Sequence, residues 1–516
     1  MLALGSVGCK SAKEVEQPKR PNILFIMSDD HSTGAISAYG GLYQDIAPTP
    51  NIDRIANEGI RFDNVYCTNA ICGPSRAAIL TGKYSHINGF YKNESGGDFD
   101  GSQQTFPKLF QQAGYQTAVI GKWHLGSAPT GFDYSKVMVN HGGQGTYFNT
   151  VYLENGRDTI PEGQFHSTTQ VANDALKWLS QGRDQDKPFM LMYQFKAPHR
   201  PWYPDEKYAD LWEDKDLPVP ATFEDSWEGK LALQDNWQRI DKNLNPKDMK
   251  VAPPAGLSKK EENAFLKLGN RNEFWTPHDS LQGDALKHWK FQRYIKDYLK
   301  CVKGVDEQIG RVLDYLDETG LAENTIVIYT SDQGFFIGEH GLFDKRLMYE
   351  ESTRMPFVMR YPKGKLAQGV NKNVISNVDF APTLLDFAGI DVPMDMQGRS
   401  FRQVATGQDR SWRDSYYYHY YEFPFWHHIQ PHYGIRTKDY KLIHFYYSMD
   451  EWELYDLNAD PDELNNLYGK AGYEEITAKL KVELTQLQDE YQMDKSLEEL
   501  RAMTDARIKR VYGNGH

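Results

Sequence analysis

Pro21-Asn22-Ile23-Leu24-Phe25-Ile26-Met27, followed at once by Ser28-Asp29-Asp30-His31, is the stretch from which the fold can be read. A continuous apolar run of this kind predicts a strand covered on both faces, as in a parallel sheet. The two adjacent carboxylates then stand at the carboxyl edge of that strand, where open α/β sheets bind ligands. Oxygen ligands at such a point suit a hard cation, Ca²⁺ or Mg²⁺. The plain alternative is a helix cap by one Asp.

The same grammar recurs along the chain. Tyr115 to Ile120 is a second buried run, and Gly121-Lys122-Trp123-His124-Leu125-Gly126 follows it. Lys122 and His124, two residues apart, point to one side and can hold an anionic oxygen and a nucleophile; a solvated Lys with a core-edge His is the plain reading. Phe189 to Phe195 runs into Lys196-Ala197-Pro198-His199-Arg200-Pro201. Prolines on both sides stiffen the loop that presents His199, which makes it a general-acid candidate. Thr325 to Thr330 ends in Ser331-Asp332-Gln333-Gly334. Helical patterns separate these runs, including Phe106 to Ala113, Thr168 to Ser180, and the stripe Ile295, Leu299, Val302, Val305, Ile309, Val312, Leu313 and Leu316. Strands alternating with helices predict an α/β domain with a large, mostly parallel sheet between helices. In such a sheet the strand ends share one edge, so residues remote in sequence converge there.

With 516 residues, the chain is too long for one small core and predicts a large domain plus a smaller one. The net charge of −13 argues against nucleic acid as a partner. It leaves room for an anionic ligand in a locally basic pocket. The expected division is residues 1–20 as a leader and linker, 21–395 as the main domain, and 396–516 as an α+β subdomain. Within the main domain, about 204–283 reads as an excursion over the rim. Its Trp227, Trp237 and Trp275 could touch a sugar, but packing is the expected use. The subdomain is expected to carry a four-stranded antiparallel sheet rich in aromatics, then a terminal helix over Ile476 to Tyr491 and a frayed tail after Ile508. Four Cys are too few for a disulfide scaffold. Cys67 and Cys301 are either thiols or one bridge. Met1 to Gly8 followed by Cys9 looks like the end of a bacterial lipoprotein signal, with Ser6 making the lipobox imperfect. That predicts export, with a lipid anchor on Cys9, to the periplasm or outer-membrane surface of a bacterium. A disordered N-terminus is the alternative.

Cys72-Gly73-Pro74-Ser75-Arg76, continuing to Leu80-Thr81-Gly82, opens a helix-prone segment and places Cys72 near a helix N-terminus. With this string, Asp29-Asp30, the Gly-Lys-x-His-x-Gly string, and Asp332-Gln333 with Gly338-Glu339-His340-Gly341 and Lys345-Arg346, the chain resembles the type I sulfatases of the alkaline-phosphatase-like superfamily. The resemblance runs from Pro21 to about Leu467. It implies that a maturation enzyme oxidises Cys72 to Cα-formylglycine, whose hydrate attacks sulfur. It implies that Asp29, Asp30, Asp332, Gln333 and residue 72 hold Ca²⁺, and that Arg76 orients the nucleophile. Lys122 and Lys345 would contact the sulfate, His124 would act as base, and His199 would protonate the leaving oxygen. The segment from Tyr420 through Trp426-His427-His428 to Arg436 is similar to bacterial N-acetylglucosamine-6-O-sulfatases of host-glycan breakdown. It implies a sulfated mono- or oligosaccharide substrate, a terminal 6-O-sulfated glucosamine of heparan sulfate or heparin with keratan or mucin sulfate as the alternative, and Trp426, His427, His428 and Arg436 on the sugar; packing of the aromatic small sheet on itself is the equal reading for any one of them. A phosphatase or phosphonate hydrolase of the same superfamily is the rival enzyme, and a glycan-binding lipoprotein without catalysis is the rival of another class.

Overall fold

The computed structural model describes residues 20–93, 98–162, 165–250, 258–260, 262, 281–408, 411–424 and 426–513. The expectations for Met1 to Cys9, for Trp275 and for part of the rim excursion lie outside these residues.

The centre is a ten-stranded sheet. Its strands run in the order Gly369–Asn371, Ile60–Phe62, Phe357–Arg360, Thr325–Ser331, Asn22–Ser28, Phe189–Gln194, Gln116–Gly121, Tyr134–Met138, Thr150–Glu154 and Asp158–Glu162. The five strands from Thr325–Ser331 to Tyr134–Met138 are mutually parallel. Antiparallel pairs appear toward both edges, so the sheet is mixed.

The first strand explains why the sheet is central. Ile23, Phe25 and Met27 enter one apolar cluster, and Leu24 and Ile26 enter another on the opposite face. Alternate side chains of a strand point to opposite faces, so a continuous apolar run buries both. Each such side chain contributes on the order of 2 kcal/mol. On one face Phe25 meets Phe106 and Phe380. On the other lies the helix Gly283–Glu318, which carries the expected stripe from Ile295 to Leu316. Cys67 belongs to the first cluster and Cys301 to the second; both are free thiols with the sheet between them, so the bridge is not formed.

Register aligns the strand ends. Met27 lies opposite Gln194 and Thr330, and Gly121 lies opposite Gln194. The residues that follow, Asp29, Asp332, Lys122 and Lys196, therefore leave the sheet at a common edge.

A second sheet of four antiparallel strands spans Ser415–Tyr420, His432–Thr437, Tyr440–Phe445 and Glu451–Asp456. Its aromatics divide by parity. Tyr416, Tyr418 and Tyr420 pack toward the main domain, while Tyr417 packs with Leu480, Leu484 and Leu487 of the helix Glu474–Glu490. The chain then ends in two helices rather than one. Ser496 and Glu499 form a reciprocal capping box that starts the helix Leu497–Tyr512, so the segment expected to fray after Ile508 is helical to Tyr512.

Candidate active site

Asp29, Asp30 and Asp332 are fully buried at the common edge and offer three carboxylate oxygens within 4.8 Å of one another. Asp30 sits in a left-handed conformation (φ 68°), which turns its side chain back toward Asp332, while its amide donates to an Asp332 carboxylate oxygen at 3.3 Å. Like charges this close resist joint ionisation. Burial, reinforced by Asp29, pushes Asp332 up to about 6. Burial also pushes Asp30 up to about 7, against the pull of Lys345 and with Asp29, Asp344 and Asp332 adding to it. Burial works hardest to raise Asp29 too, but Lys122, His199, Arg76 and Lys345 together outweigh it and hold that carboxyl well below the usual range. Asp29 Oδ1 and Gln333 Oε1 are buried without a hydrogen-bond partner. An all-oxygen set of three carboxylates and an amide, with two orphaned oxygens, fits a hard divalent cation.

Cations ring this cluster. Lys345 Nζ lies 2.5 and 2.7 Å from the two Asp30 oxygens, and Lys122 Nζ donates to Asp29 Oδ2. Arg76 is buried; its Nε donates to Asp332 Oδ2 at 2.9 Å and its Nη1 to Lys122 O and Gln194 Oε1, both at 2.9 Å. One guanidinium thus ties three of the strand ends together. Although burial opposes it, Asp30 keeps Lys345 firmly protonated.

Cys72 is the first residue of the helix Cys72–Thr81 and is buried. Its neighbour Gly73 donates its amide to Asn93 Oδ1 at 3.0 Å, and a Cβ at Gly73 would lie 2.6 Å from both Asn93 Oδ1 and Phe90 Cε1. The turn therefore needs glycine. Ser75 Oγ donates to Asp332 O, so the Cys72 helix and the carboxylates are held as one unit. Cys72 Sγ, an Asp29 oxygen and a His199 nitrogen lie within 4.8 Å of one another. Burial, then Asp29, pushes the Cys72 thiol up, so the side chain as encoded is not a ready thiolate.

His199 donates from Nδ1 to Arg200 O at 2.6 Å, because a carbonyl can only accept. This fixes the tautomer and leaves Nε2 facing the cluster, 3.8 Å from Asp30 Oδ2. His124 is buried with φ 55°, and its Nδ1 has no partner. Burial lowers both imidazoles well below the usual range; Lys122 adds to this at His124, while Asp29 opposes it at His199. His340 stands apart from the cluster. It is buried, and its Nδ1 is 2.7 Å from Asp225 Oδ2.

A second group adjoins Asp30 through the run Asp344-Lys345-Arg346. Asp344 (φ 80°) and Arg346 (φ 100°) are both left-handed, buried and paired with each other. His427 Nε2 lies 3.0 Å from Asp344 Oδ2 and 2.9 Å from Arg200 Nη2, while its Nδ1 donates to Trp237 O at 3.0 Å. His427 thus reaches the pocket and is buried in it. Sequence reasoning assigned no role to Arg200, Asp344 or Arg346, although all three flank residues it named. Trp237 and Gln238 come from the rim excursion. Gln238 Nε2 donates to Lys345 O, and the Trp237 ring stacks on His428 at 4.7 Å.

The remaining aromatic-segment residues separate. Trp426 (φ 64°) is 56% exposed, which suits a rim contact. His428 pairs with Asp235 at 3.4 Å. Arg436 is not brought to this pocket. Its guanidinium lies 3.2 and 3.4 Å from the Glu350 oxygens, donates to Thr437 O, and covers the Tyr66 ring at 4.8 Å. Its charge is spent on a buried ion pair under the small sheet, which corrects the expectation that it touches sugar.

Comparison with known proteins bears on this geometry. The sulfatase family model matches residues 21–390, and the model for the C-terminal part of N-sulphoglucosamine sulphohydrolase matches 338–490. The chain is 48% identical to an N-acetylglucosamine-6-O-sulfatase of Bacteroides thetaiotaomicron, over 95% of this chain and 89% of that one. It is 30% identical to an arylsulfatase of Clostridium perfringens, over 88% and 92%. A solved structure of a protein in complex with its substrate D-glucosamine-2-N,6-O-disulfate superposes with a TM-score of 0.85 at 45% identity, covering 93% of this chain and all of that one.

Proposed function

The chain belongs to the sulfatase family, and on that premise we propose that it hydrolyses the 6-O-sulfate ester of a glucosamine unit, N-acetylated or N-sulfated, released from heparan sulfate or heparin. The observation that carries this reading is the meeting of Cys72, Asp29 and His199 within 4.8 Å beside a three-carboxylate cluster and two buried lysines. The choice of sugar is supported by the 48% identical relative, itself an N-acetylglucosamine-6-O-sulfatase.

A sulfate monoester carries one negative charge and an unreactive sulfur. Its hydrolysis needs a strong nucleophile, positive charge around the sulfate oxygens, and a proton for the departing alcohol. Asp29, Asp30, Asp332 and Gln333 would hold the cation, for which Ca²⁺ is our assignment. Formylglycine made from Cys72 by a maturation enzyme would supply, as its hydrate, the attacking oxygen. Lys122 and Lys345 hold the sulfate oxygens, and Arg76 keeps the carboxylates and the Cys72 helix in register. His124, neutral and with Nδ1 unpartnered, is the base. His199 presents Nε2 to the ester oxygen; a bound sulfate adds a negative charge that favours its imidazolium. Arg200, Asp344, Arg346 and His427 form a polar wall suited to sugar hydroxyls. We also propose export and a lipid anchor at Cys9, supported by the sequence Met1 to Cys9.

The test is sulfate release by enzyme matured with a formylglycine-generating enzyme. The substrates are 6-O-sulfated N-acetylglucosamine, its N-sulfated analogue, 6-O-sulfated galactose and an aryl phosphate, each with Cys72→Ala beside it. Release from the glucosamine sugars, lost in Cys72→Ala, is the expected result. Release from galactose instead would discard the choice of sugar. Turnover of the phosphate alone, surviving Cys72→Ala, would overturn the sulfatase reading in favour of a phosphatase or phosphonate hydrolase.

A further inference from the structure

Between the strands Tyr134–Met138 and Thr150–Glu154 the chain makes a tight glycine-rich strap, Asn140-His141-Gly142-Gly143-Gln144-Gly145-Thr146-Tyr147. His141, Gly142, Gly143 and Gly145 all take left-handed conformations, with φ of 53°, 68°, 90° and 72°. Such a coil is costly for residues with side chains, which accounts for three glycines in five positions.

The strap meets the candidate machinery at three points. Gly143 packs on His124, so closely that a Cβ there would lie 3.1 Å from His124 Cα and 3.2 Å from its N. Gln144 Oε1 accepts from Lys122 Nζ at 2.6 Å. Tyr147, buried at 2% exposure, donates its hydroxyl to His199 O at 2.6 Å. The Lys196 ammonium lies over the Tyr147 ring at 5.3 Å and also donates, at 3.4 Å, to Arg200 O, the carbonyl that receives His199 Nδ1.

We propose that this strap orients the acid side of the reaction, with Tyr147 as the positioning residue that fixes the His199 loop. The inference rests on the reading of His199 as the leaving-group acid. In that step the nucleophilic oxygen carried at position 72 bonds to sulfur as the sulfur–oxygen ester bond breaks, the ester electron pair leaves with the sugar oxygen, and that oxygen takes the Nε2 proton of the His199 imidazolium, which is left neutral with its remaining proton on Nδ1. The His199 backbone is held from one side by its own turn, where its amide donates to Lys196 O at 3.0 Å. Tyr147 holds the carbonyl from the other. Removing that hold frees the loop to shift, and a displacement of ~1 Å in a reacting group costs on the order of 10²-fold.

Protonation matters in proportion to the basicity of the leaving group, which gives the test. A sugar alkoxide needs the proton; a nitrophenolate does not. Tyr147→Phe, His199→Ala and the parent enzyme are compared on 6-O-sulfated N-acetylglucosamine and on 4-nitrophenyl sulfate, and kcat/KM on the sugar is followed against pH. Tyr147→Phe is expected to lower kcat on the sugar about tenfold with KM little changed, to affect the aryl sulfate less than about twofold, and to flatten the alkaline limb of the sugar profile. Equal losses on both substrates, or a pH profile lowered without change of shape, would reduce Tyr147 to a structural role and overturn the proposal. No loss at all would do the same. If the aryl sulfate is not turned over, the split between kcat and KM on the sugar decides, and a loss carried by KM overturns the proposal. His199→Ala separates the two readings: if it loses sugar and aryl turnover equally, His199 is not the acid. If it is selective and Tyr147→Phe is not, the positioning proposal alone falls.

Discussion

Replacing Arg436 by Met separates a structural arginine from a sugar-binding one. The guanidinium is buried against Glu350, whose carboxylate also accepts from Tyr66 Oη at 2.9 Å and lies 3.0 Å from Lys441 Nζ. Burial works to raise Glu350, but Arg436, then Lys441 and Arg354, hold it well below the usual range. Removing one partner of a buried pair costs about 3–5 kcal/mol, because the other charge is left uncompensated. Lys441 remains beside Glu350, so the low end applies, about 3 kcal/mol including the lost contact with the Tyr66 ring. Methionine keeps most of the apolar volume, so cavity formation adds little. The assay is urea unfolding, where a lower midpoint at constant m reports a pure stability loss. The double variant with Glu350→Gln should lose less than the sum of the single variants, since the stranded charge is gone. At 25 °C, kcat and KM on the sulfated sugar should stay within about twofold of the parent. A tenfold rise in KM with an unchanged midpoint would refute the reasoning, because it would put Arg436 on the substrate.

Two further outcomes follow from the electrostatics. Glu453 is buried, accepts from Tyr349 and Tyr455 hydroxyls at 2.8 and 2.9 Å, and is pushed up by burial to about 8. The folded state therefore keeps a proton that the unfolded chain gives up above about 4.3, and stability falls by about 1.4 kcal/mol per unit as pH rises from there toward 8. Glu453→Gln should remove that slope, which unfolding midpoints at pH 5.5 and 7.5 would reveal; an identical slope in the variant would rule this out. Chelation should lower the melting temperature along with activity, and added Ca²⁺ should restore both in a concentration-dependent way, by about 2.7 kcal/mol at a hundredfold excess over Kd. In Asp30→Asn the calcium-dependent part of the melting shift should shrink; a full shift in that variant would remove Asp30 from the cation site.

The strands that build the site were legible because each is a continuous apolar run that stops abruptly at a polar residue, and burial on both faces leaves little else such a run can be. Asp29, Asp332, Lys122 and His199 follow such stops, and their convergence needs no more than parallel strands in register. Other residues were not legible for physical reasons. Arg436 lies on a short strand where parity tells which face a side chain takes but not what lies across from it; here that is Glu350, a residue 86 positions away. Tyr147 and Gln144 sit in a strap without periodicity. The signal that could have found them is the close run of glycines at 142, 143 and 145, which predicts a backbone packed against something. Arg200 and Arg346 stood inside quoted motifs, but only the fold reveals that both arginines turn toward Asp344 and away from solvent.

The pocket is assembled from two kinds of material, and this bears on how one scaffold can serve different esters. The charged half comes from the ends of neighbouring strands of the large sheet, tied by Arg76 across three of them. Each of its groups is buried and has few alternatives, since moving any one would strand a charge. The other half is built by His427 from the segment joining two strands of the small sheet, by Trp237 and Gln238 from the rim excursion, and by Arg200 from the loop that carries His199. Those segments lie outside the register of the large sheet, so changing them leaves the carboxylates and lysines where they are. Asp344, Lys345 and Arg346 join the halves: Lys345 turns to Asp30, while Asp344 meets His427. A left-handed backbone at both Asp344 and Arg346 is what lets neighbouring residues face opposite ways. On the proposed assignment of Lys345 to sulfate and His427 to sugar, a substitution that relaxes this turn should disturb both contacts together, whereas changes at Trp237 or His427 should alter the sugar preference and leave the chemistry at sulfur intact.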